Sequence, residues 1–170
     1  MKIGIIGAGS IGLLFAAYLS KTCHVTIYTR TLEQAESINI NGVVLVKKDG
    51  KRKYTIKACP FDIWNGQEDL TIVAVKQYQI TEIIDKAARV NKKTKNFLFL
   101  QNGMSHLKLL SQLAGNNLYV GSIEHGAYKE NSFTVNHNGE GITNLALFSG
   151  DHTSLTSLSS IVPEDFPVSI

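Results

Sequence analysis

The sequence predicts an α/β fold: a parallel sheet with helices on both faces and an antiparallel hairpin at its edge, a three-layer sandwich. Three observations predict it. The first 28 residues read strand, helix, strand, the unit from which parallel sheets are built. Short runs that are apolar on both faces recur along the chain, as buried parallel strands require. Glycine is frequent and proline scarce, 14 against 3 in 170 residues, which suits many tight turns with few chain breakers.

The elements follow in order. Residues 2–6 are an apolar run closed by Gly7 and read as a buried strand. Residues 10–20 carry Ile11, Leu13, Leu14, Phe15, Ala17, Tyr18 and Leu19 and read as a helix laid on a sheet. Residues 24–28 are the second strand, and residues 32–40 a helix. Residues 42–46 and 53–57 read as two arms of a hairpin turning at Asp49-Gly50. Residues 70–75 are another buried strand, followed by a helix over 78–90, a strand over 97–100, a helix over 105–113 and a short strand over 118–121. From Phe133 the period changes to alternation. Gly139-Glu140-Gly141 reads as a turn, and residues 133–148 as an antiparallel hairpin. Residues 154–161 are a weak helix and 166–170 a last strand. No linker, repeat or low-complexity stretch intervenes, and the length suits little more than one domain of about 150 residues. Residues 1–170 are therefore expected to form one domain.

Composition narrows the function. Hydrophobic residues make 44% and charged residues 18%, which excludes a disordered chain. A net charge of +3 is too mild to suggest a nucleic-acid partner. The basic run 47–53, KKDGKRK, reads as a solvated hairpin tip without interleaved aromatics. No apolar run reaches the roughly 18 residues needed to span a bilayer. The opening MKIGIIGAGS lacks the pattern of a secretory signal. Cys23 and Cys59 make no disulfide framework. The expectation is a cytoplasmic protein with neither membrane nor nucleic acid as partner.

Gly7-Ala8-Gly9-Ser10-Ile11-Gly12 directly follows a strand and opens a helix, the context of a Rossmann-type dinucleotide fingerprint. Gly7 permits the tight turn, Gly9 lets a pyrophosphate approach the backbone, and Gly12 lets helix and strand pack closely. The amides at the helix start face the anion. A purely structural glycine turn and an S-adenosylmethionine site are the competing readings. After the second strand, Tyr28-Thr29-Arg30-Thr31 holds no carboxylate for a ribose diol. Arg30 can instead pair with a 2′-phosphate, helped by the hydroxyls of Thr29 or Thr31. This favours NADP(H) over NAD(H).

Ligands in such sheets bind beyond the carboxyl ends of the strands. Lys76 follows a buried strand there and can donate to cofactor or substrate oxygens; a snorkelling lysine is the alternative. Asn102 stands at the next strand end, before Gly103, and its amide can donate and accept; Asn-Gly is also an ordinary turn pair. Glu124 and His125 are candidates of either kind, structural or site-lining. The remaining histidines show no metal-ligand spacing. Trp64 reads as packing.

These residues carry a resemblance. KIGIIGAGSIG at the start, TR at 29–30, IVAVKQYQ at 72–79, LFLQNGM at 98–104 and VGSIEHGA at 120–127 resemble the N-terminal domain of the ketopantoate reductase (2-dehydropantoate 2-reductase) family. Asn138-Gly139 through Gly141-Ile142 resembles a later hairpin of that family. The resemblance implies NADPH-dependent reduction of the 2-keto group of ketopantoate, giving pantoate for pantothenate and coenzyme A synthesis. It implies pyrophosphate binding at Gly7, Gly9 and Gly12 and 2′-phosphate binding at Arg30. Lys76 and Asn102 would lie near nicotinamide and substrate, in supporting catalytic and cofactor-binding roles. The family's general-acid lysine belongs to a second, helical domain that opens with a tryptophan and a Lys-Leu pair, and nothing of that kind follows Pro167. The expectation is a chain that binds NADPH and reduces its 2-keto acid poorly, with an exposed apolar face open to self-association. Another branched 2-keto acid as substrate, or a non-catalytic nicotinamide-responsive regulatory module, are the alternatives.

Overall fold

A computed structural model describes residues 1–90, 95–101, 103 and 105–170. The strands are Lys2–Ile6 (β1), His24–Thr29 (β2), Val43–Lys47 (β3), Gly50–Tyr54 (β4), Lys57–Pro60 (β5), Leu70–Val73 (β6), Asn96–Phe99 (β7), Asn117–Ile123 (β8), Gly126–Lys129 (β9), Thr134–Gly139 (β10), Thr143–Ser149 (β11) and Val168–Ser169 (β12). The α-helices are Ser10–Leu19 (α1), Leu32–Asn41 (α2), Ile80–Val90 (α3) and Thr153–Ile161 (α4).

β1 starts in the middle of an eight-stranded sheet of order β12-β11-β8-β7-β6-β1-β2-β5. The chain builds outward to β2 and β5 on one side, then returns to add β6, β7 and β8 on the other, all parallel. The reversal leaves a crevice at the carboxyl ends of β1 and β6, the switch point where such sheets bind ligands. Ile80, Ile83 and Ile84 of α3, with Leu110 and Leu113 of the 3-10 helix Ser105–Leu113, cover one face. Helices α1, α2 and α4 cover the other, through Leu13, Leu14, Ala35, Ile38 and Leu158 among others.

Helix α1 is buried without interruption from Gly12 to Leu19. A helix apolar all round needs cover on every side. A second, four-stranded sheet of order β4-β3-β10-β9 supplies it. α1 touches β1 and β2 beneath and β3, β9 and β10 above, so a fourth layer lies over the three expected. The strand, helix, strand opening and the mostly parallel sheet are as the sequence predicts.

The antiparallel hairpin over 133–148 is not. β10 pairs with β3 and β9 in the small sheet, whereas β11 pairs with β8 and β12 in the large one. The hairpin is instead β9 with β10, turned by Asn131, whose Oδ1 accepts from the amides of Phe133 and Thr134 at 3.0 and 2.9 Å. Residues 139–141 are the bend at which one arm of this ribbon crosses to the large sheet, and residues 124–125 are the bend of the other arm beside it. A Cβ on Gly141 would run into the Glu124 backbone there. A corner between sheets and a hairpin turn share one local signal, alternation around glycines, and only the long-range partner distinguishes them.

The other hairpin shifts as well. β3 pairs with β4 through a two-residue turn at Lys48-Asp49, and Lys57 belongs to β5 in the large sheet. Lys51, Arg52 and Lys53 thus line an exposed edge strand, where charge discourages pairing with another chain.

Between α1 and the small sheet lies a buried polar chain. Tyr18 Oη lies 2.7 Å from His137 Nδ1, and His137 Nε2 lies 3.3 Å from His125 Nδ1. The Gly141 amide also donates to His125 Nδ1, at 3.2 Å. A backbone N–H can only donate, so neutral His125 carries its proton on Nε2. His137 then donates from Nε2, and Tyr18 donates to its Nδ1. Phe166 stacks on both Tyr18 and His125 with centroids 4.4 Å apart in each case. Burial, and then the charge on His137, push His125 below the usual histidine pKa; burial, then Lys47, do the same to His137. Burial foremost pushes the Tyr18 hydroxyl up to about 12.

The unfolded chain therefore takes up protons first as pH falls through the ordinary histidine value of 6.5. Stability should be flat above pH 7 and should fall below about pH 6.5, by about 1.4 kcal/mol per unit of pKa depression. Urea midpoints at pH 7.5 and 5.5 measure this; equal midpoints would contradict the buried neutral pair.

Candidate functional site

The crevice beside β1 opens into a cleft of about 390 Å³. Gly7, Ala8, Gly9, Arg30 and Lys76 line it together, so five residues singled out by the sequence meet in one place. The glycines there have separate steric grounds. Gly7 adopts φ +108°, and a Cβ on it would meet Val75 Cγ1 at 2.9 Å. Gly12 lies buried beneath the loop, where a Cβ would fall on the Gly7 carbonyl oxygen. Gly9 is the cap of α1 and faces nothing within 4 Å. The first bond within the helix runs from the Leu13 amide to Gly9 O at 3.0 Å. The amides of residues 10–12 precede it, at the positive end of the helix dipole.

Ser10, Ile11 and Gly12 do not line the cleft. The Ser10 hydroxyl accepts from the Lys129 amide at 3.2 Å, and Ile11 packs against the core. Gln34, which sequence reasoning passed over, also lines the cleft. Its Nε2 donates to Ala8 O and Ser132 O, each at 3.0 Å, and so clasps the glycine loop from α2. Lys129 of β9 was passed over too, because strand β9 was not anticipated.

Arg30 stands exposed between β2 and α2. The two threonines beside it both bond within the protein. Thr29 is fully buried and donates to Thr31 O at 2.8 Å. Thr31 Oγ1 accepts from the Gln34 amide at 3.3 Å as the cap of α2. Thr29 has thus spent its proton inside the protein, whereas Thr31 accepts and keeps its own proton beside Arg30.

Deeper in, Tyr28 donates to Glu68 Oε1 at 2.5 Å and Trp64 Nε1 donates to Glu68 Oε2 at 3.2 Å. Burial, then Glu68, raises the Tyr28 pKa, so the hydroxyl stays protonated. Lys86 of α3 donates to the carbonyls of Phe61 and Asp62 at 2.6 Å and holds that wall of the cleft. Asp62 and Glu82 are the carboxylates that line the cleft among the described residues; Glu33 is not among them.

β6 ends at Val73, so Lys76 lies three residues past the strand, exposed, with its amide donating to Gln79 Oε1 at 3.2 Å. Buried Gln101 donates from Nε2 to Val73 O and Val75 O at 2.9 and 3.1 Å, tying this loop to the end of β7. Gln101, like Lys76, is a polar residue just past a buried strand. Asn102 lies outside the described residues. A second cleft of about 300 Å³ opens near the ends of β7 and β8, lined by Phe99, Gln101, Gly103, His106 and Asn144 among others. Glu124 and His125 line neither cleft. Glu124 Oε1 accepts from Asn144 Nδ2 at 3.0 Å, and His125 belongs to the core described above.

The open space at Gly9, the free helix start and the cations Arg30, Lys76 and Lys129 fit a phosphate-bearing dinucleotide. Among the described residues, no helix is long and apolar enough to cross a membrane.

Comparison with known proteins bears on this site. The family model described as ketopantoate reductase PanE/ApbA matches residues 3–150. The chain is 39% identical over 170 residues to a 2-dehydropantoate 2-reductase of Bacillus subtilis, covering 99% of this chain and 56% of that one. It is 36% identical over 154 residues to the enzyme of the same name from Listeria innocua, covering 89% and 51%. A Bacillus subtilis crystal structure, named as a probable 2-dehydropantoate 2-reductase, superposes with a TM-score of 0.91 at 38% identity, covering 99% and 57%. A D-mandelate dehydrogenase solved with NADH shares the fold, with a TM-score of 0.85 at 23% identity. The chain spans about half the length of the curated relatives it matches. On the family model and on these relatives, the chain belongs to the ketopantoate reductase family.

Proposed function

We propose that this chain is the NADPH-binding half of a cytoplasmic reductase that converts 2-dehydropantoate to pantoate, in the synthesis of pantothenate and coenzyme A. The observation that carries the reading is the meeting of Gly7, Ala8, Gly9, Arg30 and Lys76 around one cleft at the switch point of the sheet. NADPH supplies the hydride when bound. The loop Gly7–Gly9 and the first amides of α1 hold the pyrophosphate, and Ser10, Ile11 and Gly12 contribute backbone alone. Arg30 pairs with the 2′-phosphate, and the lack of a cleft carboxylate from residues 28–34 supports NADP over NAD. We assign Lys76, and on the family resemblance alone Asn102, to the nicotinamide and substrate end of the cofactor. Reduction of a ketone makes an alkoxide that needs a positioned proton donor and a second wall over the substrate. We assign both to the helical remainder of the protein, and self-association of this half to the face that remainder would cover.

Arg30→Ala tests the cofactor assignment. Affinity for NADPH should fall roughly ten- to a hundredfold, the worth of a charge-assisted pair, with NADH nearly unchanged. Titration of nicotinamide fluorescence reads both. Equal losses for the two nucleotides would overturn the 2′-phosphate role.

A further inference from the structure

Lys129 is the last residue of β9, on the small sheet rather than the dinucleotide-binding sheet. Its amide bonds to Ser10 Oγ, which sets it against the start of α1, and the residue lines the same cleft as Gly9 and Arg30. The turn that follows is docked toward Arg30. Ser132 O accepts from Gln34, one turn into the helix that begins just after Arg30, and the same Gln34 amide holds Ala8 O. Lys129 thus stands on the Arg30 side of the glycine loop.

The side chain is half-buried, and among the described residues no carboxylate lies within ion-pair distance of it. The neighbouring Glu130 is turned to Asn136 Nδ2 at 3.0 Å. Burial lowers the pKa of the Lys129 ammonium. A partly desolvated cation without a counter-ion costs stability until an anion arrives. A phosphate monoester carries nearly two negative charges near neutral pH and is well matched by two cations.

We infer that Lys129 is a second cation for the 2′-phosphate, so that the small sheet and Arg30 share the hold on this group. The inference rests on the NADPH reading above and adds to it a specificity residue from a different sheet. The pyrophosphate, by contrast, is left to the amides of α1.

The test compares the wild-type chain with Lys129→Met and Lys129→Arg, using NADPH and NADH as probes and melting temperature as the control for folding. Lys129→Met should weaken NADPH about tenfold or more and leave NADH within about twofold. Lys129→Arg should retain most of the NADPH affinity. Unchanged NADPH binding by Lys129→Met overturns the inference and leaves the NADPH reading standing. Equal losses for NADPH and NADH also overturn it, since they point to the pyrophosphate or to a purely structural role. A wild-type chain with no preference for NADPH over NADH overturns the parent reading, and this inference with it. Should Lys129→Met melt early, Lys129→Gln keeps length and polarity and carries the same expectations.

Discussion

Gly12→Ala should melt well below the wild type, whereas Gly9→Ala should melt like the wild type and bind nucleotide far more weakly. The two glycines lie three residues apart in one motif, yet their surroundings differ. A Cβ at Gly12 meets the Gly7 carbonyl oxygen, and that backbone is itself held by the Gly7 amide bond to Tyr28 O at 2.9 Å. Neither side can give way. Overpacking against mobile side chains costs about 1–3 kcal/mol, and a clash with fixed backbone belongs at or above the top of that range. The melting temperature should drop by roughly 10 °C. Gly9 has φ −82° and ψ −169°, open to any residue, and empty space before it. Its methyl would occupy the space a pyrophosphate needs. Gly9→Ala should therefore melt like the wild type and lose NADPH and NADH affinity together, by tenfold or more. Thermal melting and nucleotide titration on the same samples decide it. A Gly9→Ala protein that binds normally would detach the glycine loop from the cofactor.

The second large effect concerns turnover. The 170-residue chain should bind NADPH and reduce ketopantoate far below the ordinary enzyme range of about 1–1000 per second. A positioned general acid alone contributes roughly a hundred- to ten-thousandfold. Of the cations that line the cleft, Lys76, which the proposed reading assigns to the nicotinamide end, stands exposed on a loop. Tyr28 is locked as a donor to Glu68, and Lys86 is committed to two carbonyls. Steady-state assay with NADPH and ketopantoate measures the rate. Turnover within the ordinary range would mean that the proton donor lies on this chain.

Much of this was legible in local sequence. The runs KIGII and LTIV are apolar on both faces because helices cover both sides of the sheet. The motif from Gly7 to Gly12 announces its own geometry: Gly12 answers a contact within the strand-loop-helix unit, Gly7 a positive φ beside Val75, and Gly9 an open space. The small sheet was not legible. Nothing local marks β10 as the partner of β3, some 90 residues earlier in the chain. The unbroken apolar run GLLFAAYL in α1 was the available signal, because one sheet leaves half of a helix bare. The site followed the same division. Residues at strand ends, Arg30 and Lys76, could be named in advance. Gln34 and Lys129 could not, because they reach the cleft from α2 and from the small sheet.

The central claim is that the chain binds NADPH at the glycine loop and Arg30. Backbone amide spectra of the isotopically labelled chain, recorded during titration with NADPH, test it most directly. The account predicts saturable shifts at Gly7, Ala8, Gly9, Ser10, Ile11, Gly12 and Arg30, with the edge strand β4 unmoved. Spectra that do not change, or shifts confined to residues away from this cleft, would contradict it.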